Sequence, residues 1–257
     1  MNFFEQMIAL RTIIKKEIQR FLRIWVQTLI PPAITIVLYF VVFGHLIGPR
    51  IGHMDGFNYM QYIVPGLIMM SVITNSYGNV VSSFFGHKFQ RCIEELMVSP
   101  TPEYIIIIGF IIGGVARGIL VGIIVSFLSM FFAELYLYHA GITLSIVILT
   151  SVLFSLGGFI NAIYANKFDD ISIIPTFILT PLTYLGGVFY SIDLLPPFWS
   201  TVSMVNPIVY MVNGFRYGIL GVSDVSLTFT YFMISIFIVL LYIWAFVLMR
   251  TGYGMRT

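Results

Sequence analysis

The sequence predicts an all-α integral membrane protein with six transmembrane helices, and three observations carry that expectation. Of the 257 residues, 59% are hydrophobic and 9% are charged, whereas charged residues make up about a quarter of an average soluble domain. The few charges leave long uncharged runs, and about 20 apolar residues suffice for a helix to cross roughly 30 Å of hydrocarbon. Lys and Arg also gather on one side of the spans that these runs define. A water-soluble globule is excluded, and so many spans leave no room for a soluble catalytic domain of about 100 to 150 residues. Residues 1–257 therefore read as a single transmembrane domain. The lone cysteine, Cys92, precludes an internal disulfide.

Residues 1–23 come first and read as an amphipathic helix. Phe3, Met7, Leu10, Ile14, Ile18 and Phe21 recur at helical spacing, opposite Gln6, Arg11, Lys15, Gln19 and Arg20. A helix of this kind lies along a membrane surface as an interfacial element. It lacks the compact apolar core and small-residue cleavage site of a secretory signal. Pro31-Pro32 and the charge up to Arg23 argue that it is distinct from the first span.

Residues 24–190 hold spans one to five, with cores at 24–46, 60–82, 105–133, 142–165 and 171–190; the sixth core lies at 228–249, within 225–257. The uncharged stretch 194–215 is a poor span, because Pro196, Pro197 and Pro207 each remove a hydrogen bond that lipid cannot replace. Charge bias fixes the count. Arg11, Lys15, Lys16, Arg20 and Arg23 near the N-terminus, and Arg250 and Arg256 near the C-terminus, place both ends in the cytoplasm. Two cytoplasmic ends require an even number of crossings. With six, Lys88, Arg91 and Lys167 join those seven inside, and only Arg50 and Arg216 fall outside. Residues 191–224 then form an outer re-entrant region, two short helices broken at Asn206-Pro207 that dip into the membrane and return.

The loop between spans two and three carries apolar residues at 89, 92, 93, 96 and 97, alternating with Arg91, Glu94 and Glu95, which is the pattern of a short amphipathic cytoplasmic helix. It is suited either to docking a partner or to resting on lipid headgroups. Thr101, Pro102 and Glu103 supply a cap, a first-position proline and a first-turn acid for the next helix. Arg117 is the one charge inside a span core, and such a residue is either a functional contact or a structural donor to a neighbouring helix. Gly109, Gly113, Gly114, Gly118 and Gly122 share its helix and would let another backbone approach closely. Lys167-Phe168-Asp169-Asp170 reads as a solvated cytoplasmic turn.

Catalytic and metal constellations are missing. No lysine follows a glycine or precedes Ser or Thr, which excludes a P-loop. No H-E-x-x-H or G-x-S-x-G occurs, and His45, His53, His87 and His139 lack metal-ligand spacing. The chain is expected to bind no metal, no cofactor and no nucleic acid and to catalyse nothing itself. All eleven acids fall outside the span cores, against a proton- or sodium-coupled carrier. A secondary transporter or channel working without an ATPase is the alternative reading.

The ordered runs Pro65-Gly66-Leu67, Glu94-Glu95-Leu96 with Ser99-Pro100, Phe168-Asp169-Asp170, Pro181 to Tyr190, Leu195 to Trp199, Asn206-Pro207-Ile208-Val209-Tyr210 and Gly214 to Gly218 resemble the ABC-2 type permeases of bacterial inner membranes, most closely the YadH group. The likeness covers nearly the whole chain. It implies one six-helix half of an ABC exporter, multi-pass in the bacterial inner membrane with both termini cytoplasmic. Two copies would pair as a homodimer, each docked on a cytoplasmic ATPase subunit, two in all, that holds ATP and Mg. By the same resemblance residues 88–99 are a coupling helix, with Phe89, Arg91, Ile93, Glu94, Glu95 and Leu96 meeting the ATPase. Asn206, Pro207, Tyr210 and Arg216 would belong to the outer re-entrant motif. The transported molecule is not named by the resemblance.

Overall fold

A computed structural model describes residues 1–254, apart from the side chain of His45; Arg256 lies outside the described residues. Helix α1 spans Phe3–Arg23 and opens with the Glu5 carboxylate accepting the Asn2 N–H at 2.9 Å. Only Ile24 separates it from α2, Trp25–Tyr39, which continues through a π-helical stretch, Phe40–Ile47, into α3, Gly48–Ile51. The break falls at Ile24 rather than at Pro31-Pro32, which sit inside α2. A two-residue antiparallel pair, β1 (His53–Met54) and β2 (Phe57–Asn58), follows. It departs from a purely helical expectation because Asp55 and Gly56 take positive φ, 50° and 82°, as a tight Asp-Gly hairpin turn requires.

The remaining helices are α4 (Tyr59–Phe89), α5 (Cys92–Val98), α6 (Glu103–Ser129) and α7 (Ala140–Tyr164). Next come α8 (Asp170–Ile174), a π turn (Pro175–Leu179) and α9 (Thr180–Tyr184), stacked as one short rod. A 3-10 turn, Ile192–Leu194, leads to α10 (Pro197–Val205), α11 (Pro207–Leu220) and α12 (Leu227–Thr251). Four helical runs are long and apolar enough to cross a membrane: Trp25–Ile51, Glu103–Ser129, Ala140–Tyr164 and Leu227–Thr251.

Several boundaries differ from those expected, the first run reaching Ile51 rather than 46 and α4 reaching Phe89 rather than 82. The third helix ends at Ser129, four residues early, with Met130 to Ala133 folded back as a turn. The fifth ends at Tyr184 rather than 190, because the chain reverses through Gly186 and Gly187, the latter at φ 69°. Pro102, not Thr101, caps α6; Thr101 instead donates its N–H to Ser99 Oγ.

Helix α4 is the longest and is buried along most of its length, packed between α6 and α7 with α11 against one end. The glycines of α6 make this possible. A Cβ at Gly109 or Gly113 would run into Ile13 or Glu17 of α1, and one at Gly122 would lie 2.9 Å from Val72 of α4. Gly114 and Gly118 sit against Ser155 and Ser76, and Ser151 also touches Gly118. Ser76, Ser151 and Ser155 make no hydrogen bond through their hydroxyls, so they serve this contact by being small.

The described ends of the chain share one end of the bundle. Gln6 accepts the Tyr104 hydroxyl at the start of α6, and Gly254 approaches Ile163 at the end of α7. Lys88 at the end of α4 reaches the same Ile163. At the other end α11 runs from Ile208, against Gly186, to Gly218, against Thr143 of α7.

The glycine packing is testable. Gly118→Val should destabilise the detergent-solubilised protein by about 1–3 kcal/mol through overpacking. Gly78, on α4 with open space where a Cβ would stand, should gain up to about 1 kcal/mol as Gly78→Ala. Thermal unfolding checks both, and equal effects at the two positions would contradict the packing.

Candidate functional site

Three polar assemblies lie on α4. The first sits at its last turn. Lys88 Nζ donates to the carbonyls of Ile163 and Ala165, at 2.7 and 2.6 Å, placing a cation on the C-terminal carbonyls of α7 where the helix dipole favours one. The Phe89 ring meets Phe168 at 4.9 Å between centroids, and Phe168 meets Phe85 at 5.0 Å. Arg91 then turns the chain in the left-handed region, at φ 61°, a conformation that costs a non-glycine residue about 1–2 kcal/mol. Helix α5 follows at once, anchored by Ile93, which is 1% exposed.

The turn between α7 and α8 completes this assembly. The Asp170 carboxylate accepts the backbone N–H groups of Asn166 and Lys167, at 2.9 and 3.0 Å. These two bonds hold its pKa below the ordinary carboxylate range. Asp170, the first residue of α8, thus closes the turn through its carboxylate while staying solvated, a bond that the sequence reading of this turn did not contain.

The geometry divides the six residues expected to meet a partner. Ile93 is buried and Leu96 half-buried, so these two hold α5 on its own chain. Phe89 is exposed yet packed on Phe168, and Arg91 makes the bend. Glu94 and Glu95 are exposed in the first turn of α5. Beside them stand Met97 and Val98, the latter 87% exposed. The sequence placed both within the 88–99 helix, with Met97 on its apolar side, but did not count either among the residues meeting the ATPase.

The second assembly joins α1, α4 and α6. Glu17 is 1% exposed; its carboxylate accepts Ser83 Oγ at 2.7 Å and lies 3.5 Å from Arg20. Arg20 donates to the backbone and side-chain oxygens of Asn79, at 3.0 and 2.8 Å. Arg117 donates to Asn75 Oδ1 at 3.0 Å. This bond to α4 is the kind of contact that the structural reading of Arg117 describes, while its buried Nε has no partner. Gln6 and Arg20, assigned to the polar side of α1, in fact face the protein, whereas Phe3 and Met7 are exposed. The signal was present: Leu10, Ile13, Glu17 and Phe21 lie on one stripe of α1, with the acid in the middle of it.

The third assembly fixes α11. Arg216 is fully buried, not an exposed outer charge. Its guanidinium lies 4.0 Å from the centre of the Tyr62 ring and donates to Gly187 O and Asn213 Oδ1, at 2.6 and 3.2 Å. Asn213 Oδ1 also accepts the Asp224 N–H, and the Asp224 carboxylate accepts Ser191 Oγ and the Ile192 N–H. Asn206 caps α11 by accepting the Ile208 N–H at 3.0 Å, donates to Leu182 O, and so ties the break to α9. Pro207 is the first residue of α11, and Tyr210 donates to Met204 O across the same break. Tyr62, Gly187, Asn213 and Asp224 carried no sequence signal of this role.

A cleft of about 200 Å³ lies between α4 and the α8–α9 rod, lined by Met70, Thr74, Tyr77, Thr176, Thr180 and Tyr184. No group of three or more metal-ligating side chains occurs among the described residues.

Residues 8–220 match the family model described as ABC-2 type transporter. The chain is 59% identical over 250 residues to the inner membrane transport permease YadH of Escherichia coli strain K12, covering 97% of this chain and 98% of that one. It is 20% identical over 186 residues to nodulation protein J of Rhizobium leguminosarum bv. viciae, covering 72% of each.

Two outcomes test these assemblies. Arg216→Leu should lower stability by at least about 2 kcal/mol, because charged hydrogen bonds are lost at a buried site; Arg216→Lys should recover only part, lacking the planar fork. Asp170 contributes stability in full above the ordinary carboxylate pKa, and that contribution fades as pH falls through the lowered folded-state value. Asp170→Ala should therefore melt earlier than wild type at pH 7, with the gap closing in acid; a gap independent of pH would contradict the turn-closing role.

Proposed function

The chain belongs to the ABC-2 type transporter family, and from that premise we propose that it is the permease subunit of a bacterial inner-membrane ABC exporter, driven by ATP and Mg bound on a separate ATPase. The family implies association with an ABC ATPase. The observation that carries the mechanism is α5: a seven-residue helix held at the end of α4, braced by Lys88 and Phe89 and presenting Glu94, Glu95, Met97 and Val98 outward. Two acids with two apolar neighbours suit a basic-rimmed apolar notch on a partner.

In this reading residues 1–257 form one transmembrane domain with six spans, and the end of the bundle bearing α5 is cytoplasmic. The shared position of Gln6, Lys88 and Gly254 supports an even number of crossings. Helix α4 is the second span: its 31 residues extend about 46 Å, past the hydrocarbon, and its polar residues are buried against neighbours. The α8–α9 rod is a short fifth span. Helices α10 and α11 form the outer re-entrant pair, supported by the tie from Asn206 to Leu182 at one end and by the contact of Gly218 with Thr143 at the other. Two copies pair so that the cleft beside Thr74 and Thr180 faces the path of an unidentified substrate. ATP-driven closure of the two ATPases moves α5, and with it α4 and the α7–α8 turn.

The test is binding and ATP hydrolysis in proteoliposomes with the cognate ATPase. Wild-type chain should bind the ATPase and change its rate, and Glu94→Lys with Glu95→Lys should weaken binding at least tenfold, as reversal of contacting charges requires. Unchanged affinity in the double variant would refute the α5 contact. Failure of the wild-type chain to bind or alter the ATPase would favour an ion-driven transporter or a channel.

A further inference from the structure

Between α1 and the last turns of α4 lies a pocket of about 490 Å³ that borders the second assembly at Arg20 and Ser83 and extends beyond it. Lys16, Arg20 and Arg23 line it from α1, and His87 and Gln90 from the end of α4. No acidic side chain lines it; the nearest acid, Glu17, is buried and already engaged by Ser83 and Arg20. The pocket is therefore a concave site with several cationic groups and no counter-charge of its own, and Arg20, held in place through Asn79, is already positioned within it. Arg20 Nε faces the Glu17 carboxylate at 3.5 Å, so it is the guanidinium's outer nitrogen, bonded to Asn79, that lies on the side of the α4 end. Gly86 also lines the pocket, and nothing lies within 4 Å of where its side chain would begin.

The walls continue into an apolar surface. Ile24 closes the pocket at the bend between α1 and α2. From there Trp25 and Val26, 54% and 52% exposed, begin the face of α2 that no other helix covers. A basic recess opening onto an uncovered apolar helix face matches a ligand with a phosphate at one end and hydrocarbon at the other.

We propose that this pocket binds the phosphate headgroup of an anionic phospholipid of the inner leaflet, whose acyl chains lie along the exposed face of α2. The inference rests on the reading of α1 as an interfacial helix at the cytoplasmic surface. Lys16 and Arg23 supply charge at the rim, Arg20 donates from the floor, and Gln90 offers a neutral donor. Because α1 also packs on α6 and the pocket reaches Cys92 at the start of α5, the bound lipid would pin α1 to α4 beside the segment that meets the ATPase.

Native mass spectrometry of the full chain released from detergent, titrated with phosphatidylglycerol, phosphatidylcholine or free glycerol phosphate, tests this without the ATPase, so a failed ATPase contact and a failed lipid site give separate results. Wild type should retain one phosphatidylglycerol in preference to phosphatidylcholine. Lys16→Gln with Arg23→Gln should weaken that binding about thirtyfold, the loss expected for two surface cations. Gly86→Phe, which fills the recess at a position with open space, should do the same while leaving the melting temperature unchanged. Equal retention of both lipids, undiminished phosphatidylglycerol binding in both variants, or binding of free glycerol phosphate as tight as that of the lipid would each overturn the proposal.

Discussion

The structure depends on the burial of α4. A helix enclosed by α6, α7 and α11 has no water to satisfy its polar groups, and Asn75, Asn79 and Ser83 take partners on neighbouring helices, while Ser76 and Tyr77 keep hydroxyls without one. In a medium without competing donors, those partners also fix the position of each neighbour. Arg117 on α6 and Arg20 on α1 are therefore as much a consequence of α4 as its apolar contacts are. The small residues of α6 and α7 follow from the same constraint, since polar side chains on α4 reach their partners only if the backbones come close.

A cation closes each end of this helix. Near the first turn of α4, Tyr62 receives the Arg216 guanidinium, and through Arg216 the chain from Gly187 to Asp224 becomes one connected unit. At its last turn, Lys88 takes up the terminal carbonyls of α7. Such charges are costly to bury, and each is offset by several oxygens rather than by a lone counter-ion. The proposed transport mechanism uses this directly: a push on α5 is delivered to α4 and α7 together, because Ile93, Phe89 and Lys88 leave α5 no independent seat.

Much of the fold was legible because its signals are local. The positions of the helices, the break at Asn206-Pro207 and the separate N-terminal helix follow from apolar runs, prolines and charge spacing, which act within a few residues. The partners of the buried charges were not legible. Arg216 reads as an outer-loop cation until Tyr62, 154 positions earlier in the chain, is folded beneath it. Glu17 lies on the apolar stripe of α1, but its partner Ser83, on α4, and the Gly113 that makes room for it become apparent only in the packed structure. The glycines of α6 were visible as a spacing, but only packing shows that Gly109 and Gly113 receive α1 while Gly118 and Gly122 receive α4. Among the expected coupling residues, periodicity found the helix but could not separate Ile93, which anchors it, from Glu94 and Glu95, which face outward.

On this account α5 and the α7–α8 turn form one rigid body on the end of α4. Spin labels at Val98 and Lys167, both exposed, in a Cys92→Ser background test it most directly, by pulsed dipolar spectroscopy of the chain bound to its ATPase with and without trapped ATP. A rigid body predicts a single distance distribution that is the same in both states. A shifted or second distance on ATP trapping would show that α5 slides past the α7–α8 turn, and would contradict it.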